Sequence, residues 1–198
     1  MFGLGWLIRP FYHCDMSKAC ETFVVAIQDA EALLQHFRKQ EDHKAPSSEV
    51  LKRAGLIMAM TAWETYVEDR VLEEAETRLR AVEGSHAGTF MMDRLTEELK
   101  RLHNPTSDKT RKLFLDYLGF DVTNGWKWSN FDSATAKKNL DRFLSLRGDI
   151  VHRSKSLDAM APPASHAVKV EDLEKAIRFL KGLVGATDKS IEDQRPAA

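Results

Sequence analysis

The chain has 198 residues, 43% of them hydrophobic and 30% charged, with a formal net charge of −1 at neutral pH. That composition suits one globular domain with a sizeable core. The near-neutral balance excludes a global basic field that would draw the whole protein to nucleic acid, so any such contact must come from a local patch.

Residues 1–15 read as an N-terminal arm, apolar and aromatic up to His13 and Cys14. The stretch is too short to span a bilayer and has no basic start, so neither a membrane span nor a signal peptide is expected. Asp15-Met16-Ser17-Lys18 looks like a natural start, which leaves the preceding residues as an arm or as upstream sequence. The only cysteines, Cys14 and Cys20, have no clustered His or Cys partners. Neither a structural disulfide nor a zinc site follows from them; two reduced thiols in a cytoplasmic protein do.

A single domain is expected over residues 16–190. Phe23, Ile27, Ala30, Leu34 and Phe37 recur at helical spacing, which predicts a helix from residue 16 to about 40 with Ser17 as its cap. Ser47 or Ser48 then caps a long periodic segment reaching about residue 83, with Gly84 as the stop. Its first half, through Trp63, is apolar enough for a central core helix. From Glu64 to Glu83 it carries seven acids against three bases, as if kinked or projecting beyond the core.

A short helix over residues 90–102 should end at Asn104-Pro105. Ser107 or Asp108 should cap another, through Leu118 to the stop at Gly119. Residues 119–130 form a loop bearing Trp126 and Trp128, either stacking platforms for bases or lids over the core. Asp132 or Ser133 opens a helix to about His152, apolar at Ala136, Leu140, Phe143, Leu144, Ile150 and Val151. Residues 154–166, with Pro162-Pro163, read as a polar, mobile loop. A last helix should run from Val170 to about Lys189, with residues 191–198 a disordered tail. No alternating strand pattern appears, so the expected architecture is all-α: a bundle of five or six helices with a long central helix.

The most informative stretch is Leu144-Ser145-Leu146-Arg147-Gly148-Asp149-Ile150-Val151-His152-Arg153. Arginine presents a permanent cationic fork to phosphate oxygens, and histidine exchanges a proton near neutral pH. Together they supply a base for an attacking hydroxyl and a fixed charge for the phosphorane, so neither a metal nor another cofactor is expected. On a straight helix, five steps turn about 140° and rise about 7.5 Å. The pair therefore converges only if Gly148 lets the helix bend, or if a two-fold axis beside it brings two copies around one groove. The bland alternative places Arg147 in a surface ion pair and His152 at a helix C-terminus, where it favours the dipole.

Residues 133–155 hold six bases (Lys137, Lys138, Arg142, Arg147, Arg153 and Lys155) against Asp141 and Asp149. This is either a stripe that tracks phosphates or a solubilising face. Lys109, Arg111 and Lys112 form a smaller patch with the same ambiguity. Asp149 is a supporting candidate if the backbone shifts. Glu64 either faces the cleft, tuning His152 or orienting Arg147, or is simply solvated. His13, His36, His43, His86, His103 and His166 show no ligand spacing and are assigned no role.

Leu-x-Leu-Arg-x4-His-Arg on one helix resembles the HEPN superfamily when it follows a long helix carrying Met60-Thr61-Ala62-Trp63-Glu64-x-Tyr66-Val67. With the final Val170-Glu171-Asp172-Leu173-x3-Ile177-x-Phe179-Leu180 helix, the chain is most similar to the RiboL-PSP branch over residues 17–190. The resemblance implies an all-α homodimer that cleaves RNA without a metal, by 2′-OH attack, with Arg147 and His152 of both protomers meeting at the dimer cleft. It also implies a toxin or antiviral-defence effector, with a cognate antitoxin as a candidate partner. The chain departs from the family pattern at the residue after the motif arginine, commonly Asn or another polar side chain, which here is Gly148. Since the family contains members without catalysis, the alternative is a HEPN-like dimerisation or binding module.

Overall fold

The computed structural model describes residues 17–43, 46–153 and 168–195. The arm at residues 1–15 and the whole proline-bearing loop expected at 154–166 lie outside the described residues, as does the end of the tail.

Among the described residues there are six α-helices and no named strand: α1 (Lys18–Arg38), α2 (Pro46–Leu79), α3 (His86–Leu99), α4 (Ser107–Leu118), α5 (Ser133–Arg153) and α6 (Val170–Glu192). Single 3₁₀ turns follow α2, at Arg80–Val82, and precede α5, at Val122–Gly125. None of the six helices is long and apolar enough to cross a membrane. α2 is the axle: at 34 residues it packs against each of the other five.

The ends follow local chemistry. The Ser17 hydroxyl accepts from the Cys20 amide and so caps α1. Ser85 and Thr106 do the same for α3 and α4, while Asp132 accepts from the Thr135 amide at the start of α5. α4 stops at Gly119, whose φ of 78° is a left-handed geometry that glycine adopts at little cost. α3 starts four residues before the expected Phe90, and the α4 cap moves one residue back from Ser107, because Ser85 and Thr106 satisfy the first amides.

The second half of α2 does not leave the core. Val67, Arg70, Val71, Glu74 and Ala75 are all buried, and the acid-rich run is tolerable because its inward charges are paired. Arg70 Nε donates to Asp188 Oδ1 of α6 at 2.7 Å, and the Tyr66 hydroxyl donates to the same oxygen at 2.8 Å. The Ser17 hydroxyl adds a third donor to that carboxylate, at 2.9 Å to Oδ2. One turn on, Glu74 accepts from Arg78 at 3.0 Å and from Arg195 at 2.7 Å. Burial, then the Asp188 charge, push the Cys20 thiol beside this network up to about 12. It remains protonated and unreactive.

The C-terminal boundary also moves. α6 continues past Lys189 to Glu192, because Ile191 is fully buried and Arg195 is drawn back onto Glu74. Trp126 is fully buried, edge-on to Trp63 with ring centroids 6.1 Å apart. Trp128 stacks on Phe131 at 4.7 Å and lies against Phe179. Gly182 of α6 permits that approach: a Cβ there would stand 2.1 Å from the Trp128 ring nitrogen. Trp126 is therefore a core residue, and Trp128, partly buried, packs its ring against the core as a lid.

Candidate functional site

α5 carries both motif residues and is an unbroken α-helix through Gly148. A Cβ at Gly148 would meet nothing within 4 Å, so neither a kink nor a close neighbour requires glycine there. Bending does not unite the pair, and Arg147 and His152 stay about 140° apart around the helix. The side chains of His152 and Arg153, on the last turn, lie outside the described residues.

Arg147 is half-buried where α5 crosses α2 and the α3–α4 loop. Its Nη1 donates to Asn104 Oδ1 at 3.3 Å, and its Nη2 lies 3.7 Å from Glu64 Oε2. The other Glu64 oxygen is 3.8 Å from His103 Nδ1. One carboxylate of α2 thus stands between a guanidinium and an imidazole. Arg147 Nε is shielded from solvent and has no hydrogen-bond partner among the described residues, an arrangement that is costly unless an acceptor arrives.

Two side chains, Trp63 and Asp141, clamp the loop that supplies Asn104 and His103. Trp63 Nε1, one residue before Glu64, donates to the Pro105 carbonyl at 3.1 Å. Asp141 of α5 accepts from the Ser107 amide at 2.8 Å and its hydroxyl at 2.7 Å, at the positive end of α4. Asn104 itself adopts φ 58°, a left-handed geometry that asparagine tolerates better than most residues. Glu68, one turn after Glu64, has its carboxyl pushed up by burial and by the charges of Glu64 and Asp69, with His103 working in the opposite sense.

The remaining candidates are not drawn together. Lys138 and Arg142, four residues apart, share a face of α5 that lies about 140° to 180° around the helix from Arg147, so they do not extend its site. Arg142 is engaged with Asp172 at 3.3 Å and lies over the Phe143 ring. Lys137 and Asp149 are half-buried, and Lys138 is exposed. The Lys109 and Lys112 patch gains partners the sequence did not suggest: with Arg94 and Arg101 these lysines line an open groove of about 370 Å³ between α3 and α4. The two acids in that groove are occupied, Glu97 by Lys100 and Glu98 by the Tyr117 hydroxyl. Lys109 Nζ also donates to the His103 carbonyl, which ties one edge of the groove to the loop that faces Arg147. Sequence reading missed Asn104 and His103; the Asn-Pro turn was visible, but not what it would face. Among the described residues, no group of three or more His, Cys, Asp or Glu is arranged to hold a metal ion.

The chain matches the RiboL-PSP-HEPN family over residues 23–193, and it belongs to that family. The match spans all of the site's elements and points to a nuclease-type or RNA-related module. No curated protein and no solved structure matches the chain.

Proposed function

We propose that this protein is a metal-independent endoribonuclease acting on cytoplasmic RNA as a homodimer. The observation that carries the reading is the state of Arg147: a half-buried guanidinium held by one long hydrogen bond and one ion pair, with Nε unspent. A phosphodiester brings the anionic oxygens that this fork lacks. In this reading His152 takes the proton from a ribose 2′-OH, O2′ attacks the adjacent phosphorus, and Arg147 holds the non-bridging oxygens as their charge builds. The need for a 2′-OH selects RNA over DNA. The products are a 2′,3′-cyclic phosphate and a 5′-OH end. The groove beside Lys109 gives the strand a basic path away from Arg147, with Lys137, Lys138, Arg142 and Arg153 as more peripheral phosphate contacts.

The unbroken α5 supports the dimer, since two copies across a two-fold axis bring together residues that one copy keeps about 140° apart. Family membership supports a toxin or defence effector, with an antitoxin as the natural antagonist. A second reading, a binding module without catalysis, is favoured by Gly148 in place of a polar residue and by Glu64 partly neutralising Arg147. Labelled RNA incubated with the protein in EDTA separates the two. Cleavage that survives chelation, leaves cyclic-phosphate ends and disappears in His152→Ala is the expected result; RNA bound but uncut establishes the second reading.

A further inference from the structure

We propose that His103 is a second imidazole of the Arg147 site and protonates the departing 5′-oxygen. The inference rests on the ribonuclease reading and adds to it a residue outside the Arg-x4-His motif. His103 Nδ1 is 3.8 Å from Glu64 Oε1 while Glu64 Oε2 is 3.7 Å from Arg147 Nη2, so one carboxylate spans both cations when the imidazole is protonated. The residue bonded directly to His103, Asn104, is the one that accepts from Arg147. Arg147 and this imidazole are therefore separated by a single carboxylate.

The side chain of His103 is 80% exposed, so it packs into no core. Its backbone is nevertheless pinned, by Lys109 Nζ on its own carbonyl and by Trp63 on that of Pro105. A solvent-facing imidazole on a fixed backbone, with a carboxylate behind Nδ1, leaves Nε2 for a ligand. The charged groups around it are Glu64 and Glu68 of α2 and the Lys109 ammonium of α4.

The chemistry has a vacancy of this kind. In-line transesterification forms the O2′–P bond and breaks the P–O5′ bond. One proton leaves O2′ and one must reach O5′, because an alkoxide is a poor leaving group. His152 receives the first. It cannot in the same step deliver a second, so the acid is either the second His152 of the dimer or His103, and His103 is the imidazole whose contacts lead through Glu64 to Arg147. His103 Nε2 gives its proton to O5′, and the proton taken by His152 restores the balance without any further reactant.

The test compares full-length protein on two RNA substrates that differ in one bridging atom, oxygen or sulfur at the 5′ position of the scissile phosphate. A thiolate leaves without protonation. His103→Ala should lose about 10²- to 10⁴-fold on the oxygen substrate, the range for a removed general acid, and only a few-fold on the sulfur one. Arg147→Ala should lose on both. His103→Gln, which keeps a polar side chain of similar reach, should reproduce the alanine pattern and serves if the alanine protein folds poorly. Equal losses on both substrates, or none on either, overturn the role of His103 while leaving the ribonuclease reading intact. A wild-type protein that cuts neither substrate overturns the ribonuclease reading and this inference with it.

Discussion

Glu64 Oε2 stands 3.7 Å from Arg147 Nη2, within ion-pair range but beyond a hydrogen bond. The guanidinium is held in place by this charge and by the Asn104 hydrogen bond, while its Nε has no hydrogen-bond partner among the described residues. If Arg147 and His152 serve one transition state, either alanine substitution should remove most RNA cleavage, and the double mutant should be little worse than a single one. Arg147→Lys should fail as well, because an ammonium lacks the planar fork. Glu64→Gln should bind RNA more tightly, having lost a nearby negative charge, yet turn over more slowly because the arginine is less fixed. Single-turnover rates and RNA affinities, measured side by side, check this set; additive losses would count against a shared transition state.

Oligomeric state is the second prediction. Val151, the neighbour of His152, is 39% exposed, which leaves an apolar side chain in solvent on the part of α5 where the two-fold is expected. Light scattering at micromolar concentration should give a dimer, and Val151→Glu should shift it toward monomer with loss of cleavage. A monomeric wild type that still cleaves RNA would refute the shared-cleft arrangement.

Gly148 offers a test of the family departure. It sits in the interior of α5 with open space around its Cα. Gly148→Ala should stabilise the protein by about 1 kcal/mol through helix propensity, raising the melting temperature by a few degrees. Gly148→Asn, which restores a polar side chain, should be tolerated and should raise cleavage. A destabilised alanine variant would mean that glycine is needed for a reason other than space.

The buried network predicts large and unequal losses. Arg70→Ala strands the Asp188 carboxylate, and breaking such a buried pair costs about 3–5 kcal/mol. Arg70→Met combined with Asp188→Leu removes both charges and should cost clearly less than the sum of the two single changes. Urea denaturation of the three variants measures the difference.

Acid sensitivity should centre on Glu74. Burial alone pushes its carboxyl up, but hydrogen bonds from Arg195 and Arg78, with the Arg195 and Arg70 charges, hold it below its ordinary value of 4.5. A lowered folded-state value means that this contribution to stability is fully present above about pH 4.5 and is lost as pH falls through the folded value. Urea midpoints followed from neutral pH downward should show the wild type losing stability in that window. Glu74→Gln should start lower and show a flatter acid limb.

The helices were legible in the chain because their causes are local. Apolar residues three and four apart mark Phe23 to Phe37 and Ala136 to Ile150, hydroxyl and carboxylate caps sit one residue before a helix, and Gly119 has no Cβ to resist a left-handed turn. The Arg-x4-His spacing was legible for the same reason. Pairing between distant charges was not. Nothing in the acid run from Glu64 to Glu83 distinguishes Glu74, buried under three arginines, from Glu76, which is exposed. Nor does any spacing indicate that Asn104 meets Arg147 or that His103 meets Glu64. Those relationships arise only when α2, α5 and the α3–α4 loop pack, since a charge pair depends on distance through space and a sequence records only distance along the chain.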